Sequence, residues 1–138
     1  MSELSGGNGS TLYLQMLIYR AASNYNGDQY VAPTNRIDAS VANSQGFFVD
    51  SRTNSTTHKA WRSNSLIGTD TSSQILNITS INFNMYVGAR NNNGTADIFS
   101  NRQCAFASLG DGLTDTQASN FYTAVQAFQT TLARQIAP

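Results

Sequence analysis

The sequence predicts an all-β sandwich of antiparallel strands followed by one C-terminal helix. From residue 11 to residue 113, short alternations of apolar and polar residues are separated by Gly, Asn and Ser, as in strands joined by turns. After residue 113 the apolar residues recur every three or four positions, as on one face of a helix. The Asn93-Gly94 pair lies between two alternating segments and is typical of a type I′ hairpin turn.

The first ten residues, MSELSGGNGS, are rich in Gly and Ser and contain little that a core could bury. They predict a flexible arm, and we expect a single folded domain over residues 11–138. Within that domain, residues 11–19 are apolar on both faces and predict a central strand. The NYNGD segment at residues 24–28 predicts a turn, and weaker strands are expected at residues 29–32 and 36–41, separated by Pro33.

The middle of the chain predicts a hairpin. Residues 46–52 and 56–62 alternate in polarity and are joined by a short polar connection. Further strands are expected at residues 65–68 and 72–77.

The segment before the helix predicts strands on both sides of the Asn93-Gly94 turn. Its first strand, residues 83–90, is expected to direct four side chains inward: Phe83, Met85, Val87 and Ala89. The chain is then expected to return through residues 97–99 and 103–109. Cys104, the only cysteine, is expected to be a buried, inert thiol without a disulfide partner.

The helix is expected over residues 114–136. Thr114 and Gln117 fit a capping box, and Leu113 can pack on Ala118. The stripe that follows is apolar and must cover something: Ala118, Phe121, Val125, Phe128, Leu132 and Gln135 or Ile136. A sheet of the same domain is the first interpretation, and a neighbouring subunit is the alternative.

Charge and hydropathy exclude two classes of partner. Eight basic and eight acidic residues balance, so neither nucleic acid nor an anionic membrane surface is expected to bind. No apolar run approaches the ~18 residues that a membrane-spanning helix needs, so no membrane insertion is expected. The N-terminus lacks the basic and apolar regions of a signal peptide, which predicts synthesis without a cleaved signal.

Catalytic and metal-binding patterns are missing from the sequence. The seven aspartates never occur at i and i+2 on one strand face, as paired catalytic carboxylates would. His58 is the only histidine and is expected at the surface or at a strand edge. One His and one Cys cannot form a closed metal site, so no cofactor is expected. Calcium is a weak alternative, with Asp97, Asp111 and the carbonyls of residues 91–93 as oxygen ligands.

A sugar site is the one binding function for which candidate residues exist. An exposed aromatic ring can stack on a pyranose while amide and guanidinium groups bind its hydroxyls. The candidates for glycan binding are Trp61, Tyr86, Arg90, Asn91 and Asn92. The alternatives are that Trp61 packs in a sheet and that the Asn-rich segment is simply a turn.

Five short segments carry a resemblance to a known family. They lie at residues 86–94 (YVGARNNNG), 99–102 (FSNR), 105–110 (AFASLG), 112–114 (GLT) and 132–134 (LAR). In them the chain resembles the C-terminal half of the concanavalin A-like lectin/glucanase domain, the LamG-like jelly roll, in the form found in bacteriophage structural proteins. The resemblance covers residues 46–134 and hardly extends to residues 1–45.

The resemblance implies a two-sheet antiparallel jelly roll, here in a compact version with an open edge that a neighbouring chain could complete. The family includes lectins, adhesion modules, structural units and glycosidases whose E-x-D-x-x-E motif supplies two glutamates. This chain has a single glutamate, Glu3, so a glycan-degrading enzyme is the least favoured of three functions.

The function expected first is a non-enzymatic bacteriophage virion protein at the virion surface: a capsid decoration, head-fibre or tail-associated module. Its expected partners are other virion proteins or copies of itself. The alternative is a carbohydrate-binding adhesion module that recognises cell-surface glycans.

Overall fold

The computed structural model of the chain describes residues 2–7, 13–20, 24–29, 36–74 and 83–134. In these residues it contains ten strands followed by one helix. The strands are β1 (Leu4–Gly7), β2 (Tyr13–Arg20), β3 (Asn24–Gln29), β4 (Ile37–Ser40), β5 (Phe48–Asn54), β6 (Thr57–Arg62), β7 (Ser65–Asp70), β8 (Tyr86–Val87), β9 (Arg90–Asn92) and β10 (Thr95–Asp97), and the helix is α1 (Asp115–Thr131).

The strands form two main antiparallel sheets and one small hairpin. The larger sheet has the order β4-β3-β2-β1-β8, and the smaller one has the order β5-β6-β7. Strands β9 and β10 form the hairpin. Asn93 and Gly94 connect them with φ of 51° and 92°, both in the left-handed region that a type I′ turn requires. The prediction of antiparallel β structure with one C-terminal helix is therefore confirmed.

The three-stranded sheet is covered on both faces. On one face Phe48 and Ala60 join a core with Tyr25, Ile37 and Ala39 of the larger sheet. The Tyr25 and Phe48 rings stack with centroids 5.7 Å apart. Because successive residues of a strand point to opposite faces, the next residues along β5 and β6 face the other way.

On that other face Val49 and Trp61 form a second core with Ala118 of the helix. The Phe47 and Phe121 rings meet there edge to face, with centroids 5.4 Å apart. The three-stranded sheet thus shares one core with residues of the larger sheet and a second core with α1.

The helix begins as predicted and ends five residues earlier than expected. The Thr114 side chain accepts from the Gln117 backbone N–H and the Gln117 side chain accepts from that of Thr114, which completes the capping box. After Thr131 the chain turns at Ala133, where φ is 52°. Ala118 and Val125 are buried, whereas Phe128 and Leu132 of the predicted stripe are 51% and 43% exposed. Residues 135 and 136 lie outside the described part of the chain.

The prediction of a flexible arm is wrong for residues 2–7. Strand β1 pairs with β2, where Leu4 lies opposite Met16, and with β8, where Leu4 lies opposite Val87. A Cβ atom on Gly6 would overlap the side chains of Phe83 and Met85. The small residues of this segment therefore permit close packing, which composition alone cannot distinguish from flexibility.

The predicted turn at residues 24–28 is also wrong, because these residues form β3 in the interior of the larger sheet. The side chains of Asn26 and Asp28 are buried and hydrogen-bonded, so they do not interrupt the strand.

Between residues 83 and 114 the structure is less regular than predicted. Val87 is 57% exposed, and Gly88 ends β8 with a φ of 79°. Residues 98–114 contain neither helix nor strand, so the strand predicted over residues 103–109 is wrong. Cys104 is exposed, contrary to the buried thiol that was expected, because no sheet forms around it. Of the strand predicted at residues 72–77, residues 72–74 are not strand and the rest lie outside the described residues.

Candidate functional site

A buried carboxylate, Asp50 on β5, connects the two main sheets. The Tyr25 hydroxyl and the Gln29 amide, both on β3, donate to it, the amide at 2.5 Å. His58 on the neighbouring strand β6 contacts the same carboxylate, with Nε2 2.7 Å from Oδ1. Gly27 makes room for this arrangement, since a Cβ atom on it would overlap Asp50 Oδ2.

His58 is fully buried on the central strand of its sheet, which contradicts the expected surface or strand-edge position. An ionised Asp50 only accepts, so the hydrogen-bond network assigns the proton to Nε2. Nδ1 has no hydrogen-bond partner among the described residues.

A second acid–base pair continues the same face of the three-stranded sheet. Arg52 and Asp70 lie directly opposite His58 on the two flanking strands, and Arg52 Nη2 is 3.3 Å from Asp70 Oδ2. Burial opposes the charge on Asp70, but hydrogen bonds from Ser72 and Arg52 outweigh it and hold the pKa of the carboxyl below its usual value.

A third pair lies on the opposite face of β3. The Arg36 guanidinium forms two hydrogen bonds to Asp28, of 2.9 and 2.7 Å, and Gln15 Nε2 donates to the same carboxylate at 2.5 Å. Asp28 is buried, and its charge is balanced by Arg36.

Asp50, His58 and Tyr25 have the residue types of an acid–base site, but their side chains are buried. Tyr25 and His58 are fully buried, and the Asp50 side chain is 5% exposed. Burial, the neighbouring Asp50 and Asp28 charges and the hydrogen bond to Asp50 raise the pKa of Tyr25 well above its usual value, so the phenol stays neutral. The arrangement can fix the position of one sheet on the other, and sequence reasoning missed it. The available signal was the alternation of Tyr25, Gly27 and Gln29 in a segment interpreted as a turn.

A pocket of about 300 Å³ opens on the helix side of the three-stranded sheet, where α1 begins. Trp61 and Leu113 contribute apolar walls, and four threonines also line the pocket. Lys59 Nζ donates to both Asp115 oxygens there, at 2.7 and 2.9 Å. Trp61, a predicted glycan-binding residue, thus lines a pocket, but it is only 6% exposed and mainly packs in the core.

The other four predicted glycan-binding residues lie in and beside the β9–β10 hairpin, where they bind Asp97 or the backbone. Arg90 forms two 2.7 Å hydrogen bonds to Asp97, which chiefly hold the pKa of that carboxyl below its usual value. Asn92 also donates to Asp97, at 3.3 Å. The Tyr86 hydroxyl donates to the Gly94 carbonyl at 3.0 Å.

Asn91 is 1% exposed, and both ends of its amide form hydrogen bonds to the backbone. It donates to the Asn84 carbonyl at 2.5 Å and accepts from the Gly94 N–H at 2.7 Å. The Asn-rich segment therefore stabilises its own turn, and the structure places Trp61 on a different sheet from these four residues.

Among the described residues, no group of three or more His, Cys, Asp or Glu side chains is arranged to hold a metal ion. Asp97, a candidate calcium ligand, is paired with Arg90. No helix in the described part of the chain is long and apolar enough to cross a membrane.

Large apolar side chains are exposed mainly in the last third of the chain. Seven such residues are exposed among those described, and six of them form what we call the C-terminal apolar set: Val87, Ile98, Phe99, Leu109, Phe128 and Leu132. Phe99 and Leu109 are the most exposed of the set, at 66% and 60%. Both were expected in strands, and periodicity alone could not have predicted that the segment is irregular.

Comparison of the chain with family models, with curated proteins and with solved structures gives no match, and nothing in it identifies a concanavalin A-like or LamG-like domain.

Proposed function

We propose that this chain is a non-enzymatic structural protein that works in an assembly, and that the assembly is a bacteriophage virion. The observation that carries the proposal is the C-terminal apolar set. Large contiguous apolar patches are rare on monomeric soluble proteins and commonly mark contacts with other proteins, and these six exposed side chains lie within residues 87–132. Partners that cover Phe99 and Leu109 would remove this apolar area from water.

The buried polar groups support a structural role. A catalytic acid or base must reach a substrate proton, whereas Asp50, His58 and Tyr25 are enclosed between two sheets. The carboxylate instead joins strands that are distant in sequence, which makes the arrangement of the sheets more specific.

The virion setting rests on the resemblance of residues 46–134 to phage structural proteins. Two antiparallel sheets that pack through Tyr25 and Phe48 fit a compact jelly-roll sandwich, which we propose as the architecture. A capsid decoration, a head fibre and a tail-associated module are all compatible with such a domain.

The test is assembly. Sedimentation and light scattering across a concentration series should reveal self-association, or the protein should bind purified phage particles. The double variant Phe99→Ser, Leu109→Ser should weaken that association at least tenfold. Leu66→Ser is the matched control, because Leu66 is an exposed large apolar residue outside the C-terminal apolar set. A wild-type protein that stays monomeric and binds no particle would refute the proposal.

A carbohydrate-binding module is the second candidate, favoured by the pocket beside α1. Its threonine hydroxyls and the Lys59–Asp115 pair could hydrogen-bond sugar hydroxyls, while Trp61 and Leu113 offer apolar contact. Saturable binding on a glycan array that Lys59→Ala abolishes would support this function. Arg62→Ala is the control, since Arg62 lies on the same strand with its side chain directed to Gln45 and Asn43. Glycan binding that Lys59→Ala does not change would exclude this pocket as the sugar site.

A further inference from the structure

We infer that Asn93 is a site of spontaneous deamidation and that the Asn91 side chain restrains the reaction. The inference is independent of the proposed assembly function. Three observations carry it: the sequence Asn93-Gly94, its exposure in the β9–β10 turn, and the hydrogen bond from the Gly94 N–H to Asn91.

The reaction uses groups of the chain itself and water. Hydroxide removes the Gly94 amide proton, and the nitrogen attacks Cγ of the Asn93 side chain. The N–Cγ bond forms, the Cγ–Nδ2 bond breaks, and ammonia leaves with a proton from water, which returns the hydroxide. Water then opens the resulting succinimide at one of its two C–N bonds, so that residue 93 becomes aspartate or isoaspartate. Glycine favours the attack because it has no Cβ atom to crowd the nitrogen and leaves the backbone free to rotate.

Exposure distinguishes the two Asn-Gly pairs in the described part of the chain. Asn93 and Gly94 are both exposed and connect two short strands. Asn26 is 3% exposed, and Gly27 follows it in the interior of β3, between two neighbouring strands. Water and hydroxide therefore reach Gly94 and not Gly27. The third such pair in the sequence, at residues 8–9, lies outside the described residues.

The Asn91 side chain opposes the first step of the reaction. The Gly94 N–H donates to Asn91 Oδ1 at 2.7 Å, and this is the proton that hydroxide must remove. Its removal would break the hydrogen bond and leave a negative nitrogen against an acceptor oxygen. Asn91 is itself fixed in place, since it is 1% exposed and donates to the Asn84 carbonyl at 2.5 Å. We therefore expect deamidation to be slow while this hydrogen bond is intact and faster when it is lost.

Deamidation would alter a contact between the turn and the N-terminal strand. The Asn93 N–H donates to the Gly7 carbonyl of β1 at 3.2 Å. Isoaspartate adds a methylene to the main chain of a two-residue turn, and the geometry of such a turn depends on its length. We therefore expect the modified turn to lose the hydrogen bond to Gly7 and the β1 amides to exchange faster.

The first test removes the hydrogen bond to Asn91. The folded wild type, Asn91→Ala and Tyr86→Phe are incubated at pH 8, and peptide mapping by mass spectrometry follows the conversion of residue 93. Asn91→Ala should speed this conversion about tenfold, the factor expected for loss of one hydrogen bond. Tyr86→Phe is the matched control and should keep the wild-type rate, because it removes a hydrogen bond to the Gly94 carbonyl and leaves the Gly94 N–H bonded to Asn91. Asn26 should stay unmodified in all three proteins.

The second test compares the folded wild type with the same protein unfolded in urea. Residue 93 should be converted at least tenfold faster in the unfolded protein, where Asn91 no longer holds the Gly94 proton. Equal rates in the folded and unfolded protein, or no acceleration by Asn91→Ala, would overturn the inference. Equal acceleration by Asn91→Ala and Tyr86→Phe would overturn it too, because opening of the hairpin and not this hydrogen bond would then control the reaction.

A third measurement tests the effect on β1. The modified protein carries one extra negative charge, so ion exchange separates it from the unmodified protein. Amides of Leu4–Gly7 should exchange faster in the modified fraction, because the turn no longer donates to Gly7. An unchanged exchange rate would overturn the effect on β1.

Discussion

Asp50 and His58 lie on neighbouring strands with Oδ1 and Nε2 2.7 Å apart, and the same carboxylate accepts from Tyr25 and Gln29 of the opposite sheet. One side chain thereby connects residues from the first quarter of the chain to the β5–β6 hairpin. An unpaired carboxylate in the interior would cost several kcal/mol, so its donors are essential to the fold.

Removal of the Asp50 charge should destabilise the protein strongly. Asp50→Asn keeps the shape but replaces an acceptor oxygen by an NH₂ group, which would face a donor from Tyr25, Gln29 or His58. We expect the free energy of unfolding to fall by about 2–4 kcal/mol in urea titrations. Asp38→Asn is the control, because Asp38 is exposed on β4 and should change stability by less than about 0.5 kcal/mol. Equal effects of the two variants would show that the Asp50 cluster does not stabilise the fold.

A methyl group at Gly27 should have a similar effect for a steric reason. The Cβ atom of Gly27→Ala would overlap Asp50 Oδ2 and approach the Tyr25 hydroxyl, so the sheets would have to separate or the carboxylate would have to lose its donors. We expect a loss of about 2–3 kcal/mol in the free energy of unfolding.

Gly110→Ala is the matched control, since nothing lies within 4 Å of a Cβ atom there. It should be neutral or slightly stabilising, because alanine restricts the unfolded chain. A Gly27→Ala protein as stable as Gly110→Ala would mean that the two sheets are further apart than described.

Local signals predicted the parts of the fold that local chemistry determines. The capping box of Thr114 and Gln117 and the Asn93-Gly94 turn satisfy backbone groups within a few residues, so their form does not depend on distant contacts. The β5–β6 hairpin was predicted in the same way, from the alternation of polar and apolar residues along each strand.

The errors arise where tertiary contacts overrule local preference. Strand positions 6 and 27 require glycine because Phe83 and Asp50 occupy the space that a side chain would fill. In the sequence, the same glycines indicate a flexible arm and a turn. Cys104 lies in an alternating run that forms no strand. For the candidate site, sequence reasoning selected Trp61, which lines the pocket. It could not predict that Arg90 binds Asp97 and that Asn91 binds the backbone of Asn84 and Gly94.

The buried Tyr25 phenol should make stability depend on alkaline pH. Burial first, and then the Asp50 and Asp28 charges, raise the pKa of Tyr25, so the folded protein holds the phenolic proton more tightly than the unfolded chain does. Its contribution is complete below the usual tyrosine pKa of about 10 and is lost as pH rises from there towards the folded pKa. The free energy of unfolding should fall by up to about 1.4 kcal/mol per pH unit in that range.

Urea titrations between pH 8 and 11.5, with tyrosinate absorbance recorded in parallel, test this dependence. The Tyr25→Phe variant should lose this component of the alkaline slope. If Tyr25→Phe retains the full slope, another group is responsible for it.

Glu3 holds the N-terminal strand in place, and loss of its charge should release that strand. Glu3 Oε1 accepts from Arg102 at 2.5 Å and from Ser100 at 3.3 Å, and Oε2 accepts from the Ile18 N–H at 2.7 Å. Because charge-assisted hydrogen bonds contribute about 1.5–3 kcal/mol each, Glu3→Gln should lower the local stability of β1 by about 1–3 kcal/mol.

Hydrogen exchange of β1 and β2 amides measures this opening directly. Amides of Leu4–Gly7 should exchange roughly ten- to a hundredfold faster in Glu3→Gln, while those of α1 keep the wild-type rate, because the change is confined to the β1 side of the larger sheet. Asp111→Asn removes an exposed carboxylate elsewhere and should leave β1 protected. If β1 amides already exchange in the wild type at the rate of an unstructured peptide, residues 2–7 form a flexible arm in solution and the pairing with β2 is not maintained.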